Sequence, residues 1–385
     1  MVTRAPSPHT SMPRPRFGPD PFLLAVIVLI LAIGIVMVTS ASYIIAFGKY
    51  GDGFHYGKRQ GLAMVMGLGL MYVFSRVNPL MWRRIANYAM LAGLALLLLV
   101  FVPGIGVEMG GSHRWIRIPF GFCLQPSEVI KYCLIFFFAK SLAKKGDGIK
   151  DLAVGFVPHV LTIGLVVFLI LLQPDFGTAM IVTAVGFLML FVAGVRLQHM
   201  VGSAVLCLPF LIQIALSAQY RISRLRTFMD PWGDPLNSGF QIIQSLVAFG
   251  CGGLWGAGIG KGIQKLFYLP QPHTDFIFAV VGEEMGFAGV FLLIMLFYLM
   301  ICRGLVVSIK SSDPFLTYVA FGITVLIGLQ AIVNMAVAMG LLPTKGLPLP
   351  LVSLGGTSLV MNLAGLGILM AIARSTQYPA EEVKQ

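Results

Sequence analysis

Apolar residues in this chain run in long stretches broken by short polar ones, and the stretches exceed what the half-buried face of a soluble helix requires. A helix rises about 1.5 Å per residue, so about 20 apolar residues cross a bilayer core. Ten stretches meet or approach that length, near residues 22–44, 60–75, 84–103, 127–143, 152–172, 177–195, 199–218, 276–302, 315–341 and 351–373. The pattern predicts an all-α polytopic membrane protein with ten transmembrane helices. One long non-spanning segment, 219–274, separates the seventh from the eighth.

Composition agrees: 57% of residues are hydrophobic and 11% charged, which excludes a set of soluble domains. The net charge of +12 is spread between apolar runs rather than gathered on one face, so no nucleic-acid partner is expected. An even number of spans puts both ends on one side. Of the 27 Lys and Arg, 15 fall on the side of the N-terminus and 12 on the other, five of these in 219–274. Orientation follows short loops and span ends, so both termini are expected in the cytoplasm. The organisation is then a cytoplasmic tail over 1–20, disordered by its arginines and five prolines, a transmembrane domain over 21–375, and a cytoplasmic tail over 376–385. Thr39 to Ser42 could pass for a cleavage site, but the run before it is long enough to be retained as a first span. The five cysteines lack paired spacing and read as small hydrophobes, not as a disulfide scaffold or a metal site.

Candidate chemistry gathers on the outer face. The stretch from Leu269 to Gly286 places His273, Thr274 and Asp275 at the lip of a membrane helix, with Glu283 and Glu284 about two turns deeper. A charge there costs roughly 2.5 to 3.5 kcal/mol unless it faces protein or water. Gly282, Gly286 and Gly289 would form a smooth stripe for a close-packed helix. Loop 104–126 carries Arg114 and leads into Pro126 and Ser127, helix-start residues, after which Glu128 and Lys131 share a face and can pair. The corner at 173–178 holds Asp175, either an acid near membrane depth or an ordinary turn former. Segment 219–274 opens with Arg221, Arg224 and Arg226, suited to phosphate or to lipid head groups, and carries an amphipathic stretch from Phe240 to Phe249. Its glycine-rich run from Gly250 to Gly262 fails the nucleotide-loop pattern, so its glycines are read as points of close backbone approach. The proline-rich segment 342–350 is irregular backbone lining a cavity or buried in protein, with Lys345 as a phosphate partner or a snorkelling lysine. Asn334 reads as a helix-to-helix hydrogen bond rather than a ligand.

Five motifs in order then carry a resemblance: Met37 to Ser42, Arg114-Trp115-Ile116 leading to Gln125 through Glu128, Gln173 to Gly177, His273 to Phe278, and Pro348-Leu349-Pro350 with Gly355-Gly356. The chain resembles the SEDS family (shape, elongation, division and sporulation), polytopic polymerases of bacterial peptidoglycan, over roughly residues 20 to 375. Pro343 through Gly346, Gln264-Lys265-Leu266 and Val281 through Glu284 make it more similar to the cell-division type than to the elongation type. Leu354 departs from the pattern, which usually has Tyr there.

The resemblance implies a glycosyltransferase that polymerises lipid II into glycan strands at the outer face of the inner membrane, at the division septum. By the same resemblance Asp275 matches the essential acid, and Glu128, Lys131 and Asp175 match functionally important positions. The chemistry needs a base near the acceptor hydroxyl and positive charge near the departing diphosphate. Asp275 is expected to serve as that base or to hold a divalent cation, Mg²⁺ being expected. Arg114, Arg221, Lys345 and His273 are the further substrate-binding candidates. Expected partners are lipid II, the lipid-linked nascent glycan, a class B penicillin-binding transpeptidase and division regulators. The rival readings are an elongation-type polymerase, a lipid II flippase whose acids line a path across the membrane, and a non-catalytic scaffold.

Overall fold

The computed structural model describes residues 20–109, 112–117, 123–216, 219–237, 239–266, 272–344 and 346–377. Most of them are helical: α1 (Pro21–Tyr50), α2 (His55–Arg76), α3 (Met81–Leu99), α4 (Pro126–Lys145), α5 (Val157–Leu172), α6 (Phe176–Val192), α7 (Leu197–Leu216), α8 (Gln219–Met229), α9 (Phe240–Gly252), α10 (Ile277–Lys310), α11 (Pro314–Ala338) and α12 (Gly356–Gln377). Among the described residues, five helical stretches are long and apolar enough to cross a membrane: Pro21–Tyr50, Leu152–Leu172, Ile277–Lys310, Pro314–Ala338 and Gly356–Thr376. Helices also occupy the other five apolar stretches.

Helix ends follow local chemistry. Asp20 caps α1 by accepting from the amides of Phe22 and Leu23, Asp313 caps α11, and prolines stand at the first helical position of both. α4, α11 and α12 form the inner part of the bundle: α4 lies against α3 and α11, and α12 against α2. Large apolar side chains face outward, Tyr88 at 74% and Leu206 at 73% exposure among them, as a lipid-facing surface requires.

Two expectations need correction. The all-α reading misses a small antiparallel sheet of β1 (Gly106–Met109), β2 (Ser112–Arg117) and β3 (Cys123–Leu124), in that order, where a loop was expected. Val107 pairs with Trp115 and Ile116 with Leu124, and only Ile116 among the strand residues whose side chains are described is buried, so a mixed composition hid a sheet that is mostly half-buried. Within segment 219–274 lie α8 and α9, and α9 covers the amphipathic stretch expected from Phe240 to Phe249.

The glycine stripe is also not a smooth helical face. Gly286 has φ of 66°, a value open to glycine, and α10 breaks there. The break frees backbone groups on both sides, and the segment after α9 satisfies them. Ala257 and Gly258 donate to the carbonyls of Glu283 and Glu284 at 2.9 and 3.0 Å, while Phe287 and Ala288 donate to those of Gly253 and Leu254 at 2.9 and 3.1 Å. The two chains run so close that a Cβ on Gly286 would lie 2.3 Å from the Gly256 nitrogen. Close approach was expected of the 250–262 glycines; its partner is the opened turn of α10.

Candidate active site

Asp275 lies in the turn just before α10, and the turn is fastened at three successive carbonyls. Leu354 donates its amide to the His273 carbonyl at 2.9 Å. The Ser353 hydroxyl donates to the Thr274 carbonyl at 2.5 Å, and Asn334 Nδ2 donates to the Asp275 carbonyl at 2.9 Å. The same amide nitrogen of Asn334 also donates to the Leu347 carbonyl at 2.6 Å, and Gln60 Nε2 to the Ser353 carbonyl at 3.1 Å. Asn334 thus does the helix-bridging work expected of it and also anchors the turn. The proline-rich segment is the bed on which the turn rests. It packs inward through Leu347, Leu349, Leu351 and Val352, all at 2% exposure or less.

The carboxylate of Asp275 points toward that bed: its Oδ2 lies 3.5 Å from where a Cβ on Gly346 would stand. Asp275 does not cap α10, whose N-cap is Phe276 with no side-chain bond, so the helix dipole alone does not account for the acid. Burial pushes its pKa up, against the lowering pull of the Arg224 and Arg114 guanidiniums, to about 6. A carboxyl at that value is about nine-tenths ionised at pH 7 and a better base than an exposed aspartate.

Two arginines, one on β2 and one on α8, act on its charge. Arg114 on β2 donates through Nε to the Gln173 carbonyl at 2.9 Å and through an Nη to the Pro174 carbonyl at 2.5 Å, which ties the sheet to the α5–α6 corner. Arg224 on α8 is exposed and donates to the Thr344 carbonyl at 3.3 Å. The sequence reading favoured Arg221 of the same triplet; its backbone lies in α8 and its side chain is outside the described ones, as is Lys345 entirely. His273 stacks on Tyr56 with ring centroids 5.1 Å apart, and burial pushes its pKa below the usual imidazole value, leaving it neutral at pH 7.

The remaining candidates are engaged by neighbouring protein groups. Asp175 caps α6, accepting from the Thr178 amide at 3.1 Å, the Thr178 hydroxyl at 2.9 Å and Gln125 Nε2 at 3.3 Å. Glu128 and Lys131 pair at 2.8 Å, with side chains 3% and 1% exposed, and Glu128 Oε2 has no hydrogen-bond partner among the described residues. Glu283 accepts the amides of Ile263 and Gln264 at 2.6 and 3.0 Å. Glu284 accepts from the Gly260 amide, the Ser40 hydroxyl and Lys265 Nζ at 3.0, 2.7 and 2.5 Å. Both deep acids therefore clamp segment 257–265 onto α10. Sequence reasoning did not assign Ser353, Gln60 or Tyr56. The signal available for Gln60 and Ser353 was a polar side chain inside or beside an apolar run.

No group of three or more His, Cys, Asp or Glu that could hold a metal ion occurs among the described residues. Mg²⁺ needs less than that, since one carboxylate joined by substrate phosphates suffices. Asp275 fits that minimal role, although its neighbours are guanidiniums rather than further acids.

A multi-helix membrane bundle with a carboxylate in a pinned turn, under the electrostatic pull of two arginines, defines a class of membrane enzymes rather than a simple anchor. Comparison places it more closely. The chain belongs to the FtsW, RodA and SpoVE family of cell cycle proteins, whose model it matches over residues 21–378. It is 46% identical over 354 residues to a probable peptidoglycan glycosyltransferase FtsW of Geobacter metallireducens, covering 92% of this chain and 94% of that one. The stage V sporulation protein E of Bacillus subtilis is 40% identical over 361 residues, covering 94% and 98%. Among solved structures, a chain of a peptidoglycan synthase complex that coordinates polymerization and crosslinking superposes with a TM-score of 0.77 at 30% identity, covering 94% and 99%. The rod shape determining protein RodA of Thermus thermophilus gives 0.69 at 29% identity, covering 94% and 98%.

Proposed function

We propose that this protein is a peptidoglycan glycosyltransferase of the cell-division type, polymerising lipid II into septal glycan strands at the outer face of the cytoplasmic membrane. The observation that carries the reading is the carboxylate of Asp275, raised to a pKa of about 6 in a turn pinned at three carbonyls, within the electrostatic reach of Arg114 and Arg224. In this reading ten helices span the membrane, both termini are cytoplasmic and α8 and α9 lie on the periplasmic side.

Asp275 takes the proton of the acceptor 4-hydroxyl as its oxygen bonds to the donor anomeric carbon. The bond from that carbon to the diphosphate oxygen breaks, and the electron pair leaves with the diphosphate. Arg114 and Arg224 suit that developing charge, since guanidinium and phosphate pair in fork geometry. Lys345, Arg221 and His273 are further candidates for holding the substrate. In the alternative role Asp275 would hold a divalent cation such as Mg²⁺, which would supply charge neutralisation of the leaving group. Glu128 and Lys131 on α4 and Asp175 at the start of α6 are the remaining substrate-binding candidates. The proposed partners are the two lipid-linked sugars, a class B penicillin-binding transpeptidase that crosslinks the product, and division regulators.

A flippase path receives less support, because Glu283, Glu284 and Asp175 spend their oxygens on protein hydrogen bonds and Glu128 is buried against Lys131. Incubating the purified protein, alone and with its transpeptidase, with labelled lipid II decides between them. Glycan strands support the polymerase, whereas translocation in vesicles without strands would replace it with the flippase.

A further inference from the structure

A groove of about 500 Å³ runs along the outward-facing side of α1, against segment 259–265. Its walls are Val36, Tyr43, Ile44 and Ile259, exposed at 44, 44, 37 and 59%, so it opens to the apolar surroundings of the bundle. Ser40 and Lys265 form the floor. Lys265 is matched by Glu284 and donates to Ser40 at 2.8 Å, which leaves little net positive charge to attract a phosphate. The groove therefore suits an uncharged, apolar occupant. From Val36 to Ile44 it follows the helix for about 12 Å, far short of the ~30 Å that a partner's spanning helix would cover.

Residues 54–56 link the outer end of the groove to the catalytic turn. Tyr43 meets Phe54 edge-on with centroids 5.4 Å apart, and Tyr56, two residues further along the chain, stacks on His273, two residues before Asp275. Glu284 lies nine residues beyond Asp275, so the floor is about two turns deeper than the catalytic turn. One wall comes from the segment that the two deep glutamates clamp and that leads on toward that turn.

We infer that this groove receives the polyisoprenoid chain of one of the two lipid-linked sugars, setting the depth and heading at which its sugar meets Asp275. The inference rests on the polymerase reading for the identity of the chain. A tail entering sideways from the bilayer lies along α1 while its head group remains at the aromatic rim.

The test uses full-length protein and a lipid II analogue carrying a diazirine on its undecaprenyl tail. Irradiation is expected to label peptides containing residues 35–44 and 259–265, in wild type and in Asp275→Asn alike. Unlabelled lipid II should compete and excess phosphatidylglycerol should not. Label confined to other helices, or displaced equally by phosphatidylglycerol, overturns the inference. In a second arm, Val36→Trp should raise KM for undecaprenyl substrate about tenfold, or about 1.4 kcal/mol, and raise KM for a short-tailed analogue less than twofold. Equal rises on both substrates, or none on either, would also overturn it. Groove labelling in a protein that makes no strands would sink the polymerase reading and leave the groove standing as a lipid site.

Discussion

Replacing Glu284 by Gln tests whether the deep acids hold the fold around the catalytic turn. Glu284 is fully buried, Lys265 is 5% exposed, and they meet at 2.5 Å. The substitution leaves an ammonium in the interior with the Ser40 hydroxyl and a neutral amide in place of a carboxylate. Breaking one side of a buried pair costs about 3 to 5 kcal/mol, because the remaining charge keeps its desolvation penalty. The Gly260 amide and Ser40 hydroxyl also lose a charged acceptor. Thermal unfolding of detergent-solubilised protein should show a melting temperature several degrees below wild type. The double variant Glu284→Leu with Lys265→Met removes both charges and should recover much of the loss, since exchanging a buried pair for apolar groups is often neutral. A Glu284→Gln protein melting within a degree of wild type, or a double variant no more stable than the single one, would refute the reasoning.

Three further outcomes follow from the same structure. With the Asp275 pKa at about 6, kcat/KM for strand synthesis should fall about tenfold per pH unit below that value, and because Arg224 lowers the pKa, Arg224→Gln should move the inflection upward; a downward shift would contradict the electrostatic account. Burial penalises the ionised form, so Asp275→Asn should be more stable than wild type by roughly 1 to 3 kcal/mol above pH 6. That gain should shrink as pH falls through the folded value of about 6 and vanish below the unfolded value of 3.8, as followed by melting temperature across pH. Gly286→Ala puts a Cβ at φ of 66° and 2.3 Å from a backbone nitrogen, so it should destabilise the protein by at least about 1 to 2 kcal/mol and open segment 253–258 to hydrogen exchange; unchanged protection there would show that the chains do not meet as described.

The helices were legible because apolar length is written directly in the chain, as α1, α10 and α11 show. The sheet was not: β1 to β3 are short, mixed in polarity and mostly half-buried, and their pairing depends on neighbours rather than on periodicity. The Glu128–Lys131 pair could be read from spacing of three on one helix, and it forms at 2.8 Å. Asp275 was reached by position at the lip of an apolar run and by resemblance, but its supports were out of reach. Ser353, Leu354, Gln60 and Asn334 lie up to 293 residues apart along their hydrogen bonds, so only the folded chain brings them together. Glu283 and Glu284 stood out as costly charges at depth. That they grip the backbone of 260–264 depends on the break at Gly286, which a helical stripe of glycines conceals.

The most direct test of the central claim is strand synthesis from labelled lipid II by purified Asp275→Asn, assayed beside wild type with its transpeptidase partner present. The account predicts that the variant is folded, melts no lower than wild type, and makes no glycan strands. Strands formed at the wild-type rate by that variant would contradict it.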